Sequence, residues 1–173
     1  MLARKGLITF GGREMTVIGP DMRAGDPAPE FTVTTQDWQS MNVLTATRGK
    51  VRVIAAVPSL DTPVCDLETH RFNEAAAALS DEIVIVTVSA DLPFAQKRWC
   101  GANGIEEILV VSDHHDMDFG KKYGCLMQEV RLLRRAVFVV GRDDRIVYAD
   151  YMPELGMEPD YAAVLAAARQ ALG

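Results

Sequence analysis

The chain has 173 residues, enough for one domain with a full hydrophobic core. About half of the residues are apolar and about a quarter are charged, which is an ordinary composition for a globular protein. The net charge of −6 argues against nucleic acid as a main partner, and no apolar run approaches the ~20 residues that a membrane-spanning helix needs.

The first part of the chain is predicted to form short strands. The segments "GLITF" and "REMTVIG", separated by Gly11 and Gly12, predict a β-hairpin over residues 1–19. A connector rich in Gly and Pro follows. After it, "FTVTT" and "MNVL" predict two short strands around a polar turn.

From Lys50 onward, strands alternate with helices. The predicted strands are "VRVIAAV", "EIVIVTVSA", "EILVVSD", "AVFVV" and "RIVYADY", and the last two form a hairpin around "GRDD". The predicted helices are residues 64–79, a shorter helix from about Leu92 that is broken near Gly101 to Gly104, "MDFGKKYGC" and "PDYAAVLAAARQAL".

This order of elements predicts an α/β fold. Alternating strands and helices indicate a partly parallel sheet covered on both faces, and the late hairpin makes the sheet mixed. A mixed central sheet flanked by helices, with a β–α–β start and a β–β–α finish, is the thioredoxin-like arrangement. We expect one such domain over residues 1–173, with an extra N-terminal β-hairpin.

The chain contains three widely spaced cysteines, Cys65, Cys100 and Cys125. Neither their number nor their spacing is typical of a secreted disulfide framework or a zinc site. The start "MLARKGLITFGG" lacks the apolar segment and the cleavage site of a signal peptide. We therefore expect a cytoplasmic protein whose thiols are free or catalytic.

The stretch "PSLDTPVC" connects the first buried strand to the first long helix. Thr62 is predicted to be the N-cap and Pro63 the first helical residue, so Cys65 occupies the third helical position, where a capping box has Glu or Gln. A thiol there lies beside free backbone N–H groups and the positive end of the helix dipole, which favour the nucleophilic thiolate. The alternative is that Cys65 is a small buried hydrophobic residue.

The spacing Pro58-x-x-x-Thr62-x-x-Cys65 resembles the active-site signature of the peroxiredoxins. The segments "SADLPFAQKRWCGANGIE", "RRAVFVVG" and "YMPELGMEPDYAAVLAAA" are similar to the thiol peroxidase subfamily, the atypical two-cysteine peroxiredoxins, as is the N-terminal hairpin. The resemblance covers nearly the whole chain. It implies a homodimeric enzyme that reduces hydrogen peroxide and organic hydroperoxides without metal, haem or flavin.

The resemblance also implies roles for five residues. Cys65 corresponds to the peroxidatic cysteine, which attacks the O–O bond and becomes a sulfenic acid. Cys100 corresponds to the resolving cysteine, which forms an intramolecular disulfide that thioredoxin reduces. Thr62 corresponds to the hydroxyl that binds thiolate and peroxide, and Pro58 to the proline that limits solvent access. Arg135 corresponds to the arginine that stabilises the thiolate and polarises the peroxide.

Two neighbours of these motifs have ordinary explanations. Arg134 directly precedes Arg135, and alternation along a strand predicts that it points to the opposite face. Cys125 has no counterpart in the motifs, and "YGC" at a helix end predicts packing in the core. A dithiol of the thioredoxin type is excluded because the chain has no Cys-x-x-Cys.

The remaining candidates are weaker. His70 is predicted to lie on the surface of the helix that follows Cys65. His114 and His115 are adjacent in a chain with only three histidines, so we expect no metal site. Met152 and Leu155 could line an apolar entrance to the thiol, or they could pack in the core or a dimer interface.

Two other function classes remain open on the sequence. A redox sensor would use the same two thiols to pass oxidation to a partner protein. A non-catalytic thioredoxin-like binding module would show no peroxide-dependent oxidation at Cys65. Turnover with thioredoxin favours the enzyme, whereas a stable mixed disulfide with one partner favours the sensor.

Overall fold

The chain folds into eleven strands and five helices, described from Met1 to Gly173 in a computed structural model. The strands are β1 (Ala3–Phe10), β2 (Arg13–Ile18), β3 (Thr32–Thr34), β4 (Ser40–Asn42), β5 (Val51–Ala56), β6 (Ile83–Ser89), β7 (Leu109–Ser112), β8 (Leu126–Met127), β9 (Leu132–Leu133), β10 (Ala136–Val140) and β11 (Ile146–Tyr151). The helices are α1 (Val43–Ala46), α2 (Pro63–Ala77), α3 (Pro93–Asn103), α4 (Asp118–Lys122) and α5 (Tyr161–Ala171). None of these helices has the length and apolarity needed to cross a membrane.

A seven-stranded sheet in the order β11-β10-β5-β6-β7-β3-β4 forms the centre. Strands β5, β6 and β7 are parallel, whereas β10 pairs antiparallel with β5 and β3 pairs antiparallel with β7. Val53 and Ala55 of β5 pack in one apolar cluster with Phe72 of α2 and Val164 of α5. Ile54, the residue between them, belongs to a larger cluster on the other face. The sheet is therefore mixed and covered on both faces, which confirms the predicted α/β thioredoxin-like class.

The N-terminal hairpin belongs to a second sheet, in the order β1-β2-β8-β9. The hairpin itself was predicted, but β8 and β9 were not, because a two-residue strand carries no periodic pattern. Val17 of β2 pairs with Met127 of β8. These two residues, Ile8 and Met15 form a separate apolar cluster. The hairpin thus packs against the segment that precedes β10.

The prediction of a strand over "MNVL" is partly wrong. Strand β4 ends at Asn42, and Val43 begins the short helix α1. The Asn42 side chain accepts a hydrogen bond from the Thr45 N–H at 3.2 Å, which is an N-cap interaction that favours a helix start. In α3, Gly101 remains inside the helix, which ends in a left-handed turn at Gly104.

The carboxyl ends of β5 and β6 lie side by side because these strands are parallel neighbours in register. The connections that follow them lead into α2 and α3. Both helices have proline at their first position, where no hydrogen-bonded N–H is needed and φ already suits a helix. Two helix starts therefore meet at this edge, where ligands bind in open α/β sheets.

Candidate active site

Cys65 lies in the first turn of α2, three positions after the N-cap Thr62, as the sequence predicts. Its side chain is fully buried and is not in a disulfide. It belongs to a small apolar cluster at the carboxyl edge of the sheet, whose buried members are Val57, Leu60, Cys65, Cys100, Ile105 and Val110. The thiol is therefore shielded from bulk water, and it lies at the N-terminal end of α2, where the first backbone N–H groups have no partner within the helix.

Arg135 reaches this thiol from just before β10. Its Nη2 lies 3.1 Å from Cys65 Sγ, and the side chain is 1% exposed. The Leu155 carbonyl accepts from Arg135 Nε at 3.1 Å and from Nη2 at 3.0 Å, which holds the guanidinium in place. A buried cation within hydrogen-bond distance of a thiol is an arrangement that activates cysteine nucleophiles.

Glu68 pairs with the far side of the same guanidinium. Its Oε2 accepts from Arg135 Nη1, while its Oε1 is buried without a hydrogen-bond partner. Burial raises the pKa of Glu68 to about 7, although Arg135 acts in the opposite direction. The sequence predictions missed Glu68. The one available signal was its position three residues after Cys65, which puts both side chains on one face of α2.

Thr62 and Pro58 lie on the loop that leads into α2 and Cys65. The Thr62 hydroxyl donates to the Ser59 carbonyl at 3.0 Å and does not cap the helix N–H groups. Because its hydrogen is engaged there, the hydroxyl oxygen is left as an acceptor for a further group. Pro58 is buried and precedes this turn.

Cys100 lies on α3, is 6% exposed and belongs to the same apolar cluster as Cys65. Gln36, on the turn between β3 and β4, places its Nε2 3.5 Å from Cys100 Sγ. Burial raises the pKa of Cys100, and the hydrogen bond from Gln36 lowers it in part. The structure therefore brings two free thiols into one cluster, one in the first turn of α2 and the other in the second half of α3.

Two of the remaining predicted positions lie away from this site. Cys125 is fully buried in the main core, and burial raises its pKa to about 12. Arg134 donates to the Gly124 carbonyl at 2.9 Å, and its guanidinium lies 4.1 Å from the centre of the Tyr151 ring. Arg134 and Arg135, which directly precede β10, thus extend toward different parts of the molecule.

The histidines make local contacts. His70 is half-buried rather than fully on the surface, and its Nε2 lies 3.3 Å from Asn103 Oδ1 at the end of α3. His114 contacts Ser112 Oγ at 2.9 Å, and His115 contacts Asp116 at 2.9 Å. No group of three or more His, Cys, Asp or Glu side chains is arranged to hold a metal ion.

Met152 and Leu155 lie on the segment between β11 and α5. Met152 is buried, and Leu155 packs against the apolar cluster beneath the N-terminal hairpin. The contribution of Leu155 to the site comes from its backbone carbonyl, which binds Arg135. This contact has no side-chain signature, so no sequence pattern could have indicated it.

Comparison with known proteins gives consistent results. Residues 23–165 match the family model described as Redoxin. The chain is 49% identical over 165 residues to the thiol peroxidase of Halalkalibacterium halodurans, covering 95% of this chain and 98% of that relative. It is 48% identical over 162 residues to the thiol peroxidase of Bacillus subtilis, covering 94% of this chain and 96% of the relative.

Solved structures resemble the fold over nearly its whole length. A peroxiredoxin-like protein from Aquifex aeolicus has a TM-score of 0.85 at 37% identity, covering 98% of both chains. The thiol peroxidase from Chromobacterium violaceum has a TM-score of 0.82 at 19% identity, covering 97% of both chains. Similarity in sequence and similarity in structure therefore point to the same group of proteins.

Proposed function

Because this chain belongs to the redoxin family, and within it to the thiol peroxidases, we propose that it reduces hydrogen peroxide and organic hydroperoxides at Cys65. The observation that carries this proposal is the 3.1 Å contact between Arg135 Nη2 and Cys65 Sγ in the first turn of α2. This contact places a buried cation beside a nucleophile, at the edge of the sheet where α2 and α3 begin.

In the first step, the electron pair of the Cys65 thiolate attacks one oxygen of the peroxide. The S–O bond forms as the O–O bond breaks, Cys65 becomes a sulfenic acid, and the leaving oxygen departs as hydroxide or alkoxide and takes up a proton. Arg135 and the free N–H groups of the first turn of α2 stabilise the negative charge that shifts onto the leaving oxygen. The Thr62 hydroxyl oxygen accepts the peroxide O–H and helps to hold the substrate in line.

In the second step, Cys100 attacks the sulfur of the Cys65 sulfenic acid. The S–S bond forms, the S–O bond breaks, and water is released, so the chain carries an intramolecular disulfide. Thioredoxin then reduces this disulfide and restores both thiols. Support for the pairing comes from the shared apolar cluster of Cys65 and Cys100 and from the burial of Cys125 in a different cluster.

The proposal includes a cytoplasmic homodimer. The cytoplasmic location is supported by three free cysteines, and the dimer by exposed apolar side chains near the start of α3. Trp38, Leu92 and Phe94 are 44%, 51% and 70% exposed, and a second copy could cover them. The chemistry needs no metal, haem or flavin, since the thiol is both nucleophile and electron donor. Sedimentation at several protein concentrations tests the dimer.

The central test is thioredoxin-coupled peroxide consumption by the wild type and three cysteine variants. Cys65→Ser should abolish consumption. Cys100→Ser should consume about one equivalent of peroxide and then stop with thioredoxin as reductant. Cys125→Ser is the matched control and should turn over like the wild type. Substantial activity in Cys65→Ser would contradict the proposed function. A stable mixed disulfide with a partner protein, in place of turnover, would favour the redox sensor.

A further inference from the structure

Asp91 lies between the end of β6 and the start of α3 and takes no part in the chemistry above. Its carboxylate accepts three hydrogen bonds, from Ser59 Oγ at 2.7 Å, from the Leu60 N–H at 2.9 Å and from Ser89 Oγ at 2.7 Å. Ser59 and Leu60 belong to the loop that leads to Cys65, which we call the Pro58–Thr62 loop. A single half-buried carboxylate thus ties this loop to the end of the neighbouring strand.

Further hydrogen bonds fix Asp91 and Ser89 in place. Ser89 Oγ also accepts a hydrogen bond from Gln96 Nε2 at 3.0 Å, and the same nitrogen donates to the Val111 carbonyl at 2.8 Å. Ser112 Oγ donates to the Asp91 backbone carbonyl at 2.5 Å. Asp91 is therefore bonded to β6 and β7 and, through Gln96, to α3. Connected hydrogen bonds of this kind restrict one another's movement.

Ser59 and Leu60, which Asp91 binds, connect it to the proposed site. Leu60 is 2% exposed and packs in the apolar cluster that contains Cys65. The Ser59 carbonyl accepts the Thr62 hydroxyl at 3.0 Å. The direction of that hydroxyl therefore depends on the position of the Ser59 peptide group, which Asp91 holds through two hydrogen bonds to the loop.

We propose that Asp91 is a positioning residue for the peroxide step, which holds the Pro58–Thr62 loop so that the Thr62 oxygen faces the peroxide as an acceptor. The inference rests on the proposed function, because it concerns the rate of that reaction. Asp91 exchanges no proton or electron with the substrate. It acts through Ser59 and Thr62, whereas Arg135 approaches the sulfur from another element and does not depend on it.

The test measures the second-order rate of Cys65 oxidation by hydrogen peroxide in rapid mixing. Asp91→Ala should slow this step about ten- to hundredfold, since small displacements of positioning groups have effects of this size. Asp91→Asn keeps one acceptor oxygen and should slow it less. Asp61→Asn is the matched control, because Asp61 is an exposed residue of the same loop, and its rate should stay within about twofold of the wild type.

Two further measurements separate positioning from a general structural effect. The ultraviolet absorbance of the Cys65 thiolate should be the same in Asp91→Asn and in the wild type, because Arg135 is untouched. Thr62→Val should slow the peroxide step by itself, and adding Asp91→Asn to it should cause little further loss, because residues that act through one group are not additive. If Asp91→Ala does not fold, Asp91→Asn and Ser59→Ala carry the test.

Independent, multiplicative losses from Thr62→Val and Asp91→Asn would overturn the proposal, as would a wild-type rate in Asp91→Ala. A wild-type protein that fails to consume peroxide would overturn the proposed function and this inference together. That outcome is visible without any Asp91 variant, so the two failures can be distinguished.

Discussion

Arg134 and Arg135 are adjacent in the chain but serve different parts of the molecule. Arg135 contacts Cys65, whereas Arg134 lies over the Tyr151 ring and binds the Gly124 carbonyl. Alternation along an extended chain is sufficient to separate them. It makes Arg134 a matched control for Arg135, because both side chains are buried and equally charged.

Replacing Arg135 with Met should reduce the thiolate population of Cys65 and slow the peroxide step about hundredfold, because the cation that faces the sulfur and the leaving oxygen is lost. Thiolate absorbance and rapid-mixing kinetics measure the two effects. Arg134→Met should lower stability and leave both readouts near the wild-type values. Equal effects of the two substitutions would show that Arg135 has no special relation to the thiol.

Glu68 should make stability depend on pH in a defined window. Burial raises the pKa of Glu68 from 4.5 to about 7, so the folded chain holds the proton more tightly than the unfolded chain. The Glu68 contribution therefore makes the free energy of unfolding fall as the pH rises from about 4.5 to about 7. Glu68→Gln removes this titration, and its free energy of unfolding should fall less over the same window.

Denaturant unfolding at a series of pH values measures this difference. Asp113 titrates in the same range, because burial raises its pKa to about 7, but it is present in both proteins and cancels in the comparison. Parallel curves for the wild type and Glu68→Gln would show that Glu68 keeps an ordinary pKa in the folded chain.

At the scale of elements, α2 and α3 begin at the same edge of the sheet and carry the two thiols at different depths. Cys65 is in the first turn of α2, whereas Cys100 is seven residues after Pro93, roughly 10 Å along the axis of α3 at ~1.5 Å per residue. A disulfide requires Cα atoms within about 7 Å. We therefore expect at least one of these helix segments to unwind before the thiols bond.

One equivalent of peroxide should give a Cys65–Cys100 bridge within one chain and leave Cys125 free. The end of α3 is the expected point of change, since Gly101 lies inside it and Gly104 ends it, and glycine stabilises helix poorly. Peptide mapping by mass spectrometry identifies the bridge, and amide hydrogen exchange locates the remodelled segment. A Cys65–Cys125 bridge, or a bridge between chains, would show that the resolving thiol is assigned wrongly.

At the scale of the whole molecule, the N-terminal hairpin packs against Leu155, whose carbonyl binds Arg135. The Redoxin match begins at residue 23, so the hairpin lies outside it. Yet Ile8, Met15 and Val17 are buried against Met127, and Leu155 packs on this cluster while its carbonyl holds Arg135. We propose that the hairpin and the rest of residues 1–173 form one domain.

Deleting residues 1–19 should lower the free energy of unfolding by several kcal/mol, since burial of each large apolar side chain contributes about 1.5–3 kcal/mol. The deletion should also slow the peroxide step, because Leu155 loses its packing and the Arg135 contact loosens. Denaturant unfolding and rapid mixing measure the two effects, with Arg13→Ala, on the exposed part of the hairpin, as the control. An unchanged midpoint of unfolding would mean that the hairpin is an independent appendage.

The sequence by itself determined the features that depend on neighbours along the chain. The buried strands, the amphipathic helices and the N-cap at Thr62 follow from local periodicity and local chemistry, and so does the place of Cys65 in the first turn of α2. The different directions of Arg134 and Arg135 follow from the alternation of side chains along extended backbone. The resemblance in the motifs identified the family for the same reason, because its residues stand at short, readable spacings.

Tertiary structure alone decided the contacts between distant segments. Strands β8 and β9 exist because β2 offers them a partner, and two residues are too few to show a period. The Glu68–Arg135 pair spans 67 residues, the Leu155 carbonyl comes from a backbone group, and Asp91 reaches a loop 31 residues away. Such interactions depend on where the sheet brings its edges together, because these buried polar groups meet their hydrogen-bond partners only in the folded chain.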